Sequence, residues 1–202
     1  MSIIQFPANL YSASQSWGQQ RNDMEFRSMF GAQALEVSAP LWIVSIESTP
    51  DPSQAGAWQA LILQLRGRTN QVALWNKGRE QPLGTMRGAM TLGTTAAGAT
   101  SLTITASGQA GKTLLAGDYL GVGSGLTQQV VMVTADATAN GSSVITVTTE
   151  PALRNAFASG ASVTWYRPCA LFRRQESRSS WDYEPGGVVK GMSLDLLEDW
   201  RA

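Results

Sequence analysis

The chain predicts a mainly β protein with one flanking α-helix: a small barrel or sheet built from its two ends, interrupted by an all-β insertion with an internal duplication. Three observations predict it. Tryptophan and charge concentrate in the flanks, a single amphipathic helical segment stands between strand-like runs, and the middle of the chain repeats itself.

Composition sets the limits first. With 202 residues and 43% apolar content the chain can bury one core, or a core plus a small second domain. Lys plus Arg and Asp plus Glu each number 15, so no net field draws it toward nucleic acid or an anionic membrane, and no sequence-specific nucleic-acid partner is expected. The absence of a run of about 18 apolar residues argues against a membrane span, and the absence of a basic stretch followed by an apolar one argues against a secretory signal. A soluble protein made in a cytoplasm is expected. Histidine is absent and Cys169 is the only cysteine, which excludes intrachain disulfides, the common zinc sites and His-based catalytic triads. No catalytic residue, cofactor or metal site is expected. Within "CALF", Cys169 reads as a small core residue.

In the first flank, residues 1–85, the alternation of apolar and small or polar residues in "SAPLWIVSIES" predicts a half-buried strand. A helix follows in "DPSQAGAWQALILQLRGR": Asp51 suits the cap, Pro52 the first helical position, and Trp58, Leu61, Ile62 and Leu65 share one face. Gly67 is the expected C-terminal cap. "NQVALWN" resumes as a strand. The second flank, residues 166–202, ends in "GGVVKGMSLDLLED", where Met192, Leu194 and Leu196 alternate with Ser193, Asp195 and Leu197.

Between the flanks, residues 86–165 form the inserted unit. Charge there is sparse: residues 86–164 carry only Arg87, Lys112, Asp118, Asp136, Glu150 and Arg154, and no tryptophan. A constant offset of 43 residues aligns the stretch beginning at Thr95 with the one beginning at Thr138. Gly98 then falls on Gly141, Leu102 on Ile145, Ile104 on Val147, Gly117 on Gly160 and Leu120 on Val163. Each copy reads as a turn at the glycine, an alternating strand, an irregular connection and a second strand.

This duplication decides how to read "ASGQAGKT", residues 106–113, which fits a phosphate-cradling loop with Lys112 and Thr113 in the functional places. Its counterpart in the second copy is "TEPALRNA", where Asn155 replaces Lys112. A phosphate loop must run into a helix whose N-terminal amides hold the phosphate. The segment that follows, "LLAGDYLGVGSG", carries four glycines and forbids one. The octet is therefore expected to be an exposed connection. "GVGSG" lacks the helix of a dinucleotide fingerprint, and "DATANG" lacks the acidic ligands of a calcium loop; both read as turns. Asp182 with Glu184, and Asp195, Glu198 and Asp199, are carboxylate groups best read as solvated charges. Arg66 and Arg68, and Arg173, Arg174 and Arg178, form two local basic groups.

Taken in order, "RSMFGAQALEVSAPLW", "QALILQLRGRTNQVALWN", "LAGDYLGVG" with "QQVVMVTADATANGSSVITVTTEPALR", and "CALFRR" resemble tail-tip structural proteins of long-tailed bacteriophages, of the distal tail protein type. The resemblance implies a split β-barrel with one helix as the belt of a homo-hexameric ring, joining the tail tube protein to the baseplate hub protein. A peripheral β-domain would project outward. It implies a virion location at the tail tip and brings no catalytic residues. Many members place the second domain at the C-terminus, whereas here the chain returns to the first.

A ring subunit needs two different adhesive surfaces, and Trp and Arg are the usual energetic anchors. Arg66, Arg68, Trp75, Arg173 and Trp181 are the interface candidates, with an intradomain core as the alternative for both tryptophans. The rival function is a receptor- or carbohydrate-binding β-module, for which Tyr119, Trp165 and Tyr166 would be stacking platforms.

Overall fold

A computed structural model describes residues 2–10, 12–48, 52–185 and 188–200. From the N-terminus, β1 (Ile3–Gln5) is followed by two long strands, β2 (Ser14–Ser28) and β3 (Gly31–Ser48), paired antiparallel along their whole length. Helix α1 (Pro52–Gln64) comes next and β4 (Gln71–Trp75) completes the first flank. The expected cap Asp51 lies outside the described residues. On α1 and just past its end, Trp58, Leu61, Ile62 and Leu65 are all buried, each contributing roughly 1.5–3 kcal/mol of transfer free energy. Past the last turn Arg66 and Gly67 both take positive φ, and the Asn70 N–H reaches back to Leu65 O at 3.1 Å. A Cβ on Gly67 would also crowd the Ser177 carbonyl oxygen at 3.0 Å, so both the backbone conformation and the close approach favour glycine.

The insertion forms a closed barrel. Its elements are β5 (Met90–Leu92), β6 (Ser101–Thr105), β7 (Thr113–Leu114), β8 (Tyr119–Val122), β9 (Gln129–Val133), β10 (Ala137–Thr138), β11 (Val144–Glu150) and β12 (Ala161–Thr164). The closed order is β11-β6-β5-β12-β8-β9, with β7 and β10 paired alongside. The 43-residue repeat appears as a pseudo-twofold: β6 pairs with β11 about Thr103↔Thr146, which are equivalent positions. Under the same exchange β5 corresponds to β9 and β8 to β12. The copies clip onto each other, Thr95 bridging Phe157 and Thr138 pairing with Thr113. One departure is the β8–β9 register, which differs by two residues from β12–β5 and so keeps the same faces inward.

The second flank returns with β13 (Cys169–Arg174), a short hairpin of β14 (Tyr183–Glu184) and β15 (Val188–Val189), and β16 (Met192–Glu198). Strands from both flanks make one open sheet in the order β1-β4-β13-β16-β3-β2, so closure belongs to the insertion and the flanks supply an open sheet with the helix. Met192, Leu194 and Leu196 point inward as expected, against Trp42, Val44 and Ile46 of β3. The barrel has its own core, including Met86, Leu92, Leu102, Ile104, Leu120, Ile145 and Val147.

The two units meet across aromatic rings and one buried ion pair. Tyr119 of the barrel sits against Trp17 and Trp42 of the sheet, at ring-centre distances of 6.2 and 5.8 Å. The Trp42 indole N–H donates to Val130 O at 2.9 Å. Arg154 donates to a Glu198 carboxylate oxygen at 2.6 Å, with 6% and 2% of the two side chains exposed. That same oxygen accepts the Trp42 backbone N–H. Removal of either charge would strand the other in a dry place.

Candidate assembly interface

The distal halves of β2 and β3 leave the body as a two-stranded arm. In the root half, Trp42, Val44 and Ile46 are buried, whereas every residue from Gln20 to Ala39 is exposed. Two register shifts, between Gln20 and Asn22 and between Asn22 and Asp23, put extra residues into β3 at the root. Such bulges bend and twist a ribbon away from its parent sheet. Ser28 closes the tip: its hydroxyl accepts the Phe30 N–H at 3.2 Å and donates to Gly31 O at 3.3 Å.

Period-two alternation gives the arm two unlike faces. One carries Met24, Phe26 and Leu35, each more than half exposed, and at the tip Met29 and Phe30 are 90% and 94% exposed. The other carries Asp23, Glu25, Arg27 and Glu36. Arg27 pairs with Glu25 at 2.9 Å. Asp23 stands directly opposite Glu36, an arrangement of like charges that opposes ribbon formation. At the root, Arg21 donates to Glu150 at 2.6 Å and ties the arm to the end of β11; the carboxylate raises the Arg21 pKa. An isolated hairpin is marginal in water, and this one holds a contiguous apolar face in solvent, the signature of a surface that another molecule covers.

Of the residues named from sequence as interface candidates, the structure brings Arg68 and Arg173 together. With Gln20, Arg174, Gln175 and Leu197 they line an open hollow of about 320 Å³ at the foot of the arm. Arg68 donates to Gln175 O at 2.7 Å, and Arg173 lies 3.4 Å from Asp199. Arg174 is buried, bonded to Ser179 Oγ and Arg178 O, and desolvation lowers its pKa. Arg66 is elsewhere. It lines a second hollow of about 650 Å³ with Ser2, Ile4, Leu63, Gln64 and Asn70, where the end of α1 meets edge strand β1. Trp181 packs half-buried against the flank core. Trp75 requires a correction: it is 6% exposed, edge-on to Phe6 and beneath the Arg167 guanidinium at 5.0 Å. It is core, because its ring is closed in by Phe6 and Arg167 on a strand whose five residues are all buried.

The arm itself, the largest feature of this surface, was missed by sequence reasoning. Its alternation was legible in "NDMEFRS", but the tip "SMFG" lacks the Asn-Gly or Asp-Gly pair that announces a tight hairpin.

The other sequence motifs resolve into structural roles. The octet 106–113 runs into strand β7, with the Thr113 hydroxyl 3.3 Å from that of Thr85. "GVGSG" ends β8 and enters a 3₁₀ turn, Gly125–Thr127. In "DATANG", Asn140 Oδ1 accepts the Ser142 and Val144 N–H groups, building the turn into β11. Burial raises the Cys169 thiol to about 11. The carboxylates scatter: Asp195 accepts from Ser45 at 2.6 Å, Glu198 holds Arg154, and Asp199 lies beside Arg173 and Gln71. Asp182 is exposed, and the Glu184 side chain lies outside the described residues. Asp118, 2% exposed, accepts the N–H groups of Leu83, Gly84 and Leu115 and fastens the entry of the insertion. Of the three proposed stacking aromatics, Tyr119 is half-buried at the junction and Trp165 faces Arg87 at 5.0 Å, leaving Tyr166 exposed.

Among the described residues no group of His, Cys, Asp and Glu is disposed to hold a metal ion, and no helix is long and apolar enough to cross a membrane. Neither a protein-family model nor a curated protein matches this chain.

Proposed function

We propose that this protein is a non-enzymatic structural subunit that works by assembling with copies of itself. The specific reading is a homo-hexameric ring at the distal end of a phage tail, joining the tail tube protein to the baseplate hub protein. One observation carries the assembly part: an amphipathic arm with its apolar face and a directly opposed acidic pair both in solvent. The phage part rests on the sequence resemblance; the flanks share with the implied belt a sheet built from both chain ends and one helix, but form an open sheet where that belt is a split β-barrel. In this reading the sheet is the belt, the barrel is the peripheral unit, and Arg68 and Arg173 lie on a contact surface of the belt.

Imaging the assembled particle at subunit resolution tests the reading. Six copies around the tail axis, with each arm covered by a neighbour, is the expected result. A tail tip that holds this chain in any other stoichiometry, or with bare arms, overturns it. A chain that remains monomeric and binds glycans through the barrel would support the receptor-binding module instead.

A further inference from the structure

Two features of the sheet lie at its opposite edges. The arm prolongs β2, the edge strand on one side, and the hollow around Leu63 is bounded by β1, the edge strand on the other. We infer that the arm of one copy seats in the Ile4–Leu63 hollow of the next copy, with Phe26, Met29 and Phe30 covering Leu63 and the net negative charge of the arm brought close to Arg66. The inference rests on the assembly reading above and names its contact.

Three observations support this occupant over others. The chemistry matches, because the arm offers the most exposed apolar side chains in the described molecule and the hollow offers a 56% exposed Leu63 beside Ile4. Charge also matches. The arm carries Asp23, Glu25 and Glu36 against Arg27, its Arg21 being committed to Glu150, whereas among the described residues the only charged one lining the hollow is Arg66. Finally, placement matches: a contact between opposite edges uses two different patches, so each copy keeps one arm and one hollow unused until the chain of contacts closes on itself. An arm-to-arm contact would stop at two copies.

The test uses two variants of the full chain. One carries Met29→Asp and Phe30→Asp and loses the arm; the other carries Leu63→Glu and Arg66→Glu and loses the hollow. All four positions are exposed, and circular dichroism with thermal melting checks that both variants keep the parent fold. Mass is read by light scattering across a concentration series. The expected result is that the parent forms multi-subunit particles, each variant alone stays a single chain, and an equimolar mixture stops at two chains. The mixture behaves so because the intact hollow of the first variant accepts the intact arm of the second, and nothing remains to extend the pair. If either variant assembles as the parent does, the contact is wrong while the ring reading stands. If the mixture stops at two chains but the parent builds open filaments, the contact stands and the ring reading fails. A hollow variant that dimerises alone, or a parent that is a single chain at every concentration, overturns the contact.

Discussion

The barrel and the arm are written in the same alternating pattern and come to opposite ends. In β6 and β11 the inward side chains Leu102, Ile104, Ile145 and Val147 are at most 1% exposed, whereas Met24, Phe26 and Leu35 on the arm are more than half exposed. The difference lies outside the strands. Six strands closing on themselves give every inward side chain a partner, and two strands alone cannot. Alternation therefore specifies which residues share a face, and only the wider topology supplies what covers it.

The sharpest way to break the contrast is at the junction that joins the two units. Glu198→Ala leaves Arg154 buried without its carboxylate, and urea unfolding should show a loss of about 3–5 kcal/mol. Within the barrel, Leu102→Ala should cost about 2–5 kcal/mol by the same measurement. The equivalent truncation on the arm, Phe26→Ala, should move monomer stability by no more than about 0.5 kcal/mol. A loss above about 2 kcal/mol in the isolated subunit would mean that the arm is already packed. Asp23→Lys, which places a cation opposite Glu36, should raise stability by a few tenths to about 1 kcal/mol. The smallest effect concerns Cys169. Its folded pKa of about 11 lies above the ordinary 9.0, so its neutral form favours the fold fully below pH 9.0, and that contribution is lost as pH rises through about 11. Native alkylation rates should accordingly keep climbing up to about pH 11; a plateau near 9 would place the thiol in water.

Much of the body was legible because its signals are local. The face shared by Trp58, Leu61 and Ile62, the Gly67 stop and the β16 alternation each fit within a dozen residues, and the repeat was visible because the barrel halves must present equivalent side chains to a common core. Contacts made at long sequence range were not legible. Arg68 and Arg173 meet through the pairing of β4 with β13, and Trp75 is buried by Phe6 and Arg167, which lie far from it in sequence. Neither consequence can be read from residues near either position. The arm was hidden for a different reason: exposure of an apolar stripe depends on the absence of a neighbour, which no local pattern encodes.

Glu150 and Arg154 sit four positions apart on one short stretch, the first gripping the arm through Arg21 and the second gripping the final strand through Glu198. One short connection of the barrel is thus a meeting point, joined to the arm by an exposed ion pair and to the sheet by a buried one, and of the two grips the buried one is the stronger.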